Sequence, residues 1–164
     1  MEIREIQIED AKNLLNLLKK LDAETTFLLY EKDERNSTIE QQIKNIQEQL
    51  EKGSLTFVLE DNKKLVGYVF GNIFTKNRKK HCMNLAIAIL QEYTGKGYGT
   101  KLMNTIEEYA INNGITRLEL EVAKTNKVAI SLYQKTGFEV EGIKRNAFLV
   151  NEKYEDDLLM AKII

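Results

Sequence analysis

The sequence predicts an α/β fold in which helices cover the faces of a mixed sheet. Stretches with apolar residues every three or four positions alternate with stretches rich in β-branched and aromatic residues. Three strand-like stretches precede a glycine-rich segment and indicate antiparallel pairing, whereas strands and helices alternate after it. With 164 residues the chain has the length of one domain, which we predict to span residues 1–164.

The first half of the chain reads as one strand, two helices and three more strands. "EIREIQI" is short and precedes a helix pattern that starts at Asp10, so it is predicted to be the first strand. Ser37 and Glu40 fit a capping box for a second helix that ends near Gly53. "SLTFVLE" and "LVGYVFGNIF" flank "DNKK" and predict an antiparallel hairpin, and "HCMNLAIAIL" predicts the next strand.

The second half begins with "TGKGYGT", which opens a helix that ends at Asn113-Gly114. "TRLELEV" alternates apolar and acidic residues, as expected for a strand with one buried face. A short helix from about Asn126 to Gly137 follows, and the chain closes with a hairpin around "NEK".

Composition excludes several classes of function. The net charge of -1 offers no attraction for nucleic acid, and no apolar run is long enough for a membrane span. His81 and Cys82 are the single histidine and the single cysteine, so we expect no metal site and no Ser/His/Asp triad. With no disulfide possible and no signal-like start, we expect a cytoplasmic protein.

The glycine-rich segment suits a ligand that carries phosphate. A strand, a glycine turn and a helix N-terminus together present free N–H groups and the positive end of the helix dipole. The spacing does not fit a P-loop, because Lys96 lies between glycines, nor a dinucleotide fingerprint, because Thr100 stands where that pattern needs glycine.

Two longer stretches resemble one known family. "LAIAILQEYTGKGYGTKLMNTIEEYA" and "NKVAISLYQKTGFEVEG" are similar to the GNAT superfamily of N-acetyltransferases, and the resemblance covers most of the chain. In the loop pattern of that family Gly97 and Gly99 match, whereas Thr94 replaces a long side chain that usually helps to hold the pyrophosphate. We hypothesise that Lys96 or Lys101 supplies the missing charge.

The resemblance implies acetyl-CoA as acetyl donor, a GNAT-like sheet that is mostly antiparallel, and a splayed parallel pair formed by "LAIAIL" and "LELEV". Pantetheine would add to the strand edge as an extra strand does, and the loop would take the pyrophosphate. The implied cofactor-binding residues are Ile87, Ala88, Ile89, Thr94, Gly95, Lys96, Gly97, Tyr98, Gly99, Thr100 and Asn126.

The same resemblance implies direct transfer of the acetyl group to a primary amine, with no acyl-enzyme. Tyr133 is the candidate acid that protonates the departing thiolate, and the backbone N–H of Ile89 is the candidate oxyanion donor. Glu119, Glu121 or a water chain would deprotonate the amine. Cys82 is expected to pack rather than to react.

The acceptor remains open between a small amine, an amino acid and a protein N-terminus. We expect the acceptor groove to be built from "TTFLLYEKDERN" and the closing hairpin. The alternative function is a non-catalytic acyl-CoA-binding module, and nucleotide binding by the glycine loop comes third. A homodimer is possible if the final apolar strand pairs across an interface.

Overall fold

The computed structural model describes all residues from 1 to 164 and contains seven strands and four α-helices. The strands are β1 (Glu2–Glu5), β2 (Leu55–Asp61), β3 (Lys64–Ile73), β4 (Cys82–Ile89), β5 (Arg117–Ala123), β6 (Glu139–Val150) and β7 (Lys153–Ile163). The helices are α1 (Ala11–Glu24), α2 (Ile39–Glu51), α3 (Tyr98–Asn112) and α4 (Lys127–Lys135). Short 3-10 turns cover Ile8–Asp10 and Gln91–Tyr93.

The seven strands form one sheet in the order β1-β2-β3-β4-β5-β7-β6. All neighbours are antiparallel except β4 and β5, whose pairing covers three residue pairs and ends at Asn84 opposite Glu119. Beyond that pair both strands continue without each other, so a gap opens inside the sheet. The predicted mixed sheet with a splayed parallel pair is confirmed.

The helices lie on opposite faces of this sheet. A Cβ built on Gly71 would lie 3.1 Å from Ile106 Cδ1, so α3 covers the face to which Gly71 points. Tyr68 is three residues away and points to the other face, where Asp22 of α1 and Arg35 lie close enough to act on its hydroxyl. Leu132 of α4 packs against Gly99, which puts α4 on the α3 face.

Most predicted elements are present, and two expectations change. Thr38 rather than Ser37 caps α2: its Oγ1 accepts from Gln41 N at 3.2 Å, and its N–H donates to Gln41 Oε1 at 2.8 Å. The chain holds two overlapping pairs of the same capping pattern, and local spacing alone does not choose between Glu40 and Gln41. The final strand, β7, lies between β5 and β6, so it is not a sheet edge.

The core is continuous through the sheet and both helix layers. Val58, Met83, Ile106 and Leu118 have no exposed surface, and Cys82 is buried as expected. No helix is both long and apolar enough to cross a membrane.

Candidate functional site

The main cavity occupies the gap between β4 and β5 and has a volume of about 900 Å³. Every residue of β4 from 84 to 89 lines it. Because successive side chains of a strand point to opposite faces, a cavity lined by all of them extends through the sheet. It therefore has two halves, one on each face.

One half lies on the face covered by α3 and α4, and we call it the α4 half. The residues that define it are Ile87, Ile89, Val122, Asn126, Leu132 and Tyr133. The other half lies on the face covered by α1, and we call it the loop half. It is lined by residues 25–30, Arg35, Tyr68, Glu121, Glu155 and Asp157.

Tyr133 is the polar side chain at the base of the α4 half. It is 5% exposed, and its ring packs at a tilt against Phe138 with 6.0 Å between centroids. The end of α4 fixes it, since Phe138 N donates to Tyr133 O at 2.9 Å around Gly137, whose φ is +93°. Burial and the neighbouring Tyr68 raise the pKa of Tyr133, so the hydroxyl keeps its proton at neutral pH.

The glycine loop joins β4 to α3 in a conformation that leaves its amides free. Gly95 and Gly97 have φ of +71° and +82°, and a Cβ on either would meet nothing within 4 Å. No backbone carbonyl accepts from the amides of residues 95–100, and the first helical bond is Lys101 N to Gly97 O at 3.2 Å. Such a run of free amides at a helix N-terminus is suited to anions.

Gly99, the third glycine of the loop, is required by packing and not by a left-handed backbone conformation. A Cβ on Gly99 would lie 2.9 Å from Leu132 Cδ2, so Gly99 lets α3 and α4 approach each other. Of the loop residues predicted to bind the cofactor, only Thr94 lines the cavity itself. Lys96 Nζ donates to Glu92 O at 2.8 Å, and the Lys101 ammonium lies 5.7 Å from the centre of the Tyr98 ring.

The register of β4 decides which backbone groups face the gap. Leu90 N donates to Val66 O at 2.9 Å, so even-numbered residues of this segment turn their N–H and C=O toward β3. Ile87 and Ile89 consequently turn their N–H and C=O groups into the gap. The backbone of Ala88 instead pairs with Tyr68, which leaves Ala88 only its side chain for a ligand in the cavity.

The two glutamates considered as bases are both engaged in ion pairs. Arg117 Nε donates to Glu119 Oε2 at 2.9 Å, and Glu119 does not line the cavity. Glu121 does line it, but its Oε2 accepts from Lys144 Nζ at 2.7 Å. His81 lies outside the cavity, and no cluster of potential metal ligands is present.

The loop half contains groups that sequence reasoning missed. Asp22 accepts from Arg35 through both oxygens, at 2.6 and 3.0 Å, and Arg35 stacks 4.2 Å from the centre of the Tyr30 ring. This pair anchors the irregular segment between α1 and α2. Both that segment and the closing hairpin line the cavity, as predicted for the acceptor groove. The sequence signal that could have indicated this pair is Asp22, an acidic residue next to Leu21 on the buried side of α1.

Asp157 on β7 is the second group that sequence reasoning missed. The residue is 3% exposed, and its Oδ1 atom is buried without a hydrogen-bond partner. Burial and the nearby Glu121, Glu155 and Asp156 raise the pKa of Asp157, and Lys144 opposes them. In sequence it is hidden in the acidic run from Glu155 to Asp157.

Known proteins match this chain over most of its length. A family model described as the acetyltransferase (GNAT) family matches residues 15–138. The solved structure of an acetyltransferase of GNAT family from Streptococcus pneumoniae superposes with a TM-score of 0.93 at 32% identity, covering 99% of this chain and 98% of that chain.

Two curated relatives match shorter parts. An L-amino acid N-acetyltransferase of Escherichia coli (strain K12) is 30% identical over 60% of this chain and 62% of that protein. A spermidine N(1)-acetyltransferase of Vibrio cholerae is 32% identical over 61% of this chain and 58% of that protein. The match thus spans less than two thirds of either relative.

Proposed function

The chain belongs to the acetyltransferase (GNAT) family, whose members are acetyl-CoA-dependent N-acetyltransferases, and from this premise we propose that it acetylates a primary amine directly. The observation that carries the proposal is the gap between β4 and β5, which the buried residue Tyr133 lines. A gap through the sheet lets a donor on one face meet an acceptor on the other.

The residues of the α4 half and the glycine loop fit acetyl-CoA. The free amides of residues 95–100 suit its pyrophosphate, and the gap-facing groups of Ile87 and Ile89 suit its amide-rich arm. Asn126 uses its Oδ1 to cap α4, at 3.1 Å from Ala129 N, which leaves its amide nitrogen for a ligand. Bound there, acetyl-CoA supplies an acetyl group as a thioester that an amine can attack.

Protein groups would perform two tasks of the transfer. The Ile89 N–H points into the gap, where it donates a hydrogen bond to the carbonyl oxygen as negative charge develops on it. Tyr133 donates its proton to the departing sulfur, and its raised pKa ensures that the proton is present at neutral pH. Thr94 lines the cavity but provides no positive charge, so the loop amides bear most of the pyrophosphate binding.

The first experiment measures thermal unfolding with acetyl-CoA, with ATP and NAD as controls. A ligand at about 100 times its dissociation constant adds about 2.7 kcal/mol to the free energy of unfolding, which raises the melting temperature by several degrees. Release of free thiol is then followed with a panel of primary amines.

The two measurements separate the candidate functions. Stabilisation by acetyl-CoA alone together with thiol release supports the acetyltransferase. Stabilisation without thiol release from any amine supports the acyl-CoA-binding module instead. Stabilisation by ATP or NAD alone overturns both and favours a nucleotide ligand.

Assembly and compartment are further parts of the proposal. Because β7 is internal, a homodimer that pairs strands would use the exposed edge strand β6, which carries half-exposed Val140 and Ile143. Light scattering of the eluted protein tests this. The lone, buried Cys82 suits a reducing compartment such as the cytoplasm.

A further inference from the structure

We propose that Asp157 binds the ammonium group of the acceptor and takes its proton, and that the acceptor is an amine without a carboxylate of its own. The inference rests on the proposed acetyltransferase function and names a base and a substrate class for it.

Asp157 is buried, and one of its carboxylate oxygens has no hydrogen-bond partner. Its exposed fraction is 3%, and Oδ1 has no hydrogen-bond donor within reach in the protein. A buried carboxylate oxygen without a donor costs free energy, because water no longer solvates it and nothing replaces the water. Asp157 lies on the wall of the cavity, so a ligand there can supply the missing donors.

The other carboxylates of the cavity already accept hydrogen bonds from protein donors. Glu24 accepts from Gln91 N at 2.9 Å, and Glu155 accepts from Thr125 Oγ1 at 2.8 Å. Glu121 is held by Lys144. Among the four carboxylates of the lining, Asp157 is the one that carries a buried oxygen without a partner.

The position of Asp157 in the sheet sets the face to which its side chain points. It pairs with Ala123 at the wide end of the gap, and residues paired across neighbouring strands point to the same face. Ala123 in turn shares its face with Glu121, so Asp157 projects into the loop half. It therefore approaches the gap from the face opposite to Tyr133, which is where the second substrate would enter.

The charges of the cavity define the class of acceptor. Its lining contains four carboxylates, Glu24, Glu121, Glu155 and Asp157, and one cation, Arg35. Arg35 is already bound to the fully buried Asp22 through two hydrogen bonds. A carboxylate on the acceptor would meet like charges without a free cation, whereas an alkylammonium ion or a diamine meets opposite charge.

The Asp157 carboxylate accepts one proton from the R–NH3⁺ group and becomes neutral, which leaves R–NH2 with a free electron pair. That pair forms the new C–N bond as the C–S bond of the thioester breaks, and the sulfur receives the proton of Tyr133. The second amine proton replaces the one lost by Tyr133, Asp157 releases its proton to solvent, and the net products are the amide, the free thiol and one proton.

Neighbouring charges tune the carboxylate for this task. Glu121 on β5 and Glu155 on β7 share the face of Asp157 and, with burial and the adjacent Asp156 on the opposite face, raise its pKa, while Lys144 on β6 lowers it. A base with a raised pKa accepts a proton more readily, although it must be ionised at the working pH.

The experiment compares Asp157→Asn with Asp156→Asn, the next residue on the opposite face of β7, which does not line the cavity. Asp156 Oδ1 accepts from Asn146 N at 3.0 Å, a bond that asparagine can keep. Both variants remove one negative charge from the same strand. The probes are 1,4-diaminobutane and 5-aminopentanoate, which share chain length and ammonium group but carry opposite charges at the other end.

With 1,4-diaminobutane, the wild-type kcat/KM is expected to stay level between the pKa of Asp157 and the pKa of the amine, near 10. The Asp157→Asn variant lacks the base and reacts only with the small neutral fraction of the amine. Its kcat/KM is therefore expected to fall at least 100-fold at pH 7 and to rise about tenfold per pH unit. Asp156→Asn follows the wild type. A flat profile for Asp157→Asn, or equal use of 5-aminopentanoate, overturns the proposal.

Two readouts do not depend on turnover. In protein saturated with non-acetylated CoA, calorimetry is expected to show at least tenfold weaker binding of 1,4-diaminobutane to Asp157→Asn than to wild type. Without ligands, Asp157→Asn is expected to melt at the same or a higher temperature at pH 7, since an unpartnered charge has been removed. A lower melting temperature together with unchanged diamine binding would show that Asp157 is structural.

These readouts also separate the inference from the proposed function. If no amine releases thiol while acetyl-CoA binds, the acetyltransferase proposal fails. Diamine binding that depends on Asp157 would then still support the ammonium site, and its absence would overturn that site as well.

Discussion

The α4 half and the loop half of the cavity are built in opposite ways. Apart from Ile87, Ile89 and Val122 on strands β4 and β5, the α4 half and the adjoining glycine loop come from two short stretches, the loop before α3 and the segment from Asn126 to Phe138. The loop half combines the α1–α2 segment with residues of β3, β5 and β7. Local motifs therefore describe the first half, whereas the second depends on contacts between distant parts of the chain.

The two halves also differ in charge. The lining of the α4 half carries no ionisable group except the Tyr133 hydroxyl, while the charged residues of the lining are Glu24 and members of the loop half. In the proposed function, the acetyl donor is held by backbone amides and shape. The proposed acceptor side instead uses charged side chains, which single substitutions can change one at a time.

The largest effect on stability is expected at Arg35, which anchors the loop half. Arg35→Met leaves Asp22, with a side chain only 1% exposed, as an unpaired buried charge, and should lower the free energy of unfolding by about 3–5 kcal/mol. Urea unfolding of the variant and the wild type measures this difference in the free energy of unfolding. The double variant with Asp22→Asn should recover much of the loss, and acetyl-CoA should still stabilise both proteins. A loss below about 1 kcal/mol would contradict the anchoring role.

The largest effect on turnover at the α4 half is expected at Tyr133. Tyr133→Phe keeps the ring against Phe138 but removes the proton donor, so kcat should fall about 10²-fold or more while acetyl-CoA binding is retained. Tyr109→Phe is the matched control, because that ring packs against Phe57 away from the cavity. Equal turnover of the two variants would remove the acid role.

Gly97 tests the loop amides with a smaller effect. Gly97→Ala forces a side chain into a left-handed conformation and should cost about 1–2 kcal/mol of stability, together with a clear loss of acetyl-CoA affinity. Gly53→Ala has the same open surroundings and a similar φ of +73°, but lies after α2, so it should lose stability alone. Equal acetyl-CoA affinity of both variants would argue against the loop as the pyrophosphate site.

Asn126 is expected to show the smallest effect, and it separates two roles of one side chain. Asn126→Ala removes the α4 cap and should cost about 1 kcal/mol of stability. Asn126→Asp keeps the capping oxygen but loses the amide donor, so stability should hold while acetyl-CoA affinity falls. If only the alanine variant binds acetyl-CoA less tightly, the contribution of Asn126 is limited to capping.

Much of the fold follows from the sequence because its signals are local. The left-handed glycines at 53, 114 and 137 end three helices, and the alternation of Leu118, Leu120 and Val122 gives the buried face of β5. The order of strands in the sheet required more than periodicity. The mixed sheet was expected, but the placement of β7 between β5 and β6 follows from long-range pairing.

The site was predicted only where a motif covers it. Tyr133 and Asn126 stand in one continuous pattern, so their positions on α4 could be anticipated. Asp157 has no such pattern: its burial depends on strands β5 and β6 flanking β7 and on the cavity that they enclose. The sequence also did not predict that the backbone of Ala88 faces β3. Which backbone groups of β4 face the gap depends on the hydrogen-bonded register with β3.

The separation of β4 from β5 also gives neighbouring backbone amides of β4 different rates of hydrogen exchange with solvent. Ala86 and Ala88 donate their amides to β3, whereas Ile87 and Ile89 turn theirs into the gap, where no strand accepts them. In deuterated water β4 should therefore show slow and fast amides in alternation. Acetyl-CoA would slow the fast ones, so that exchange rates read out occupancy of the gap residue by residue.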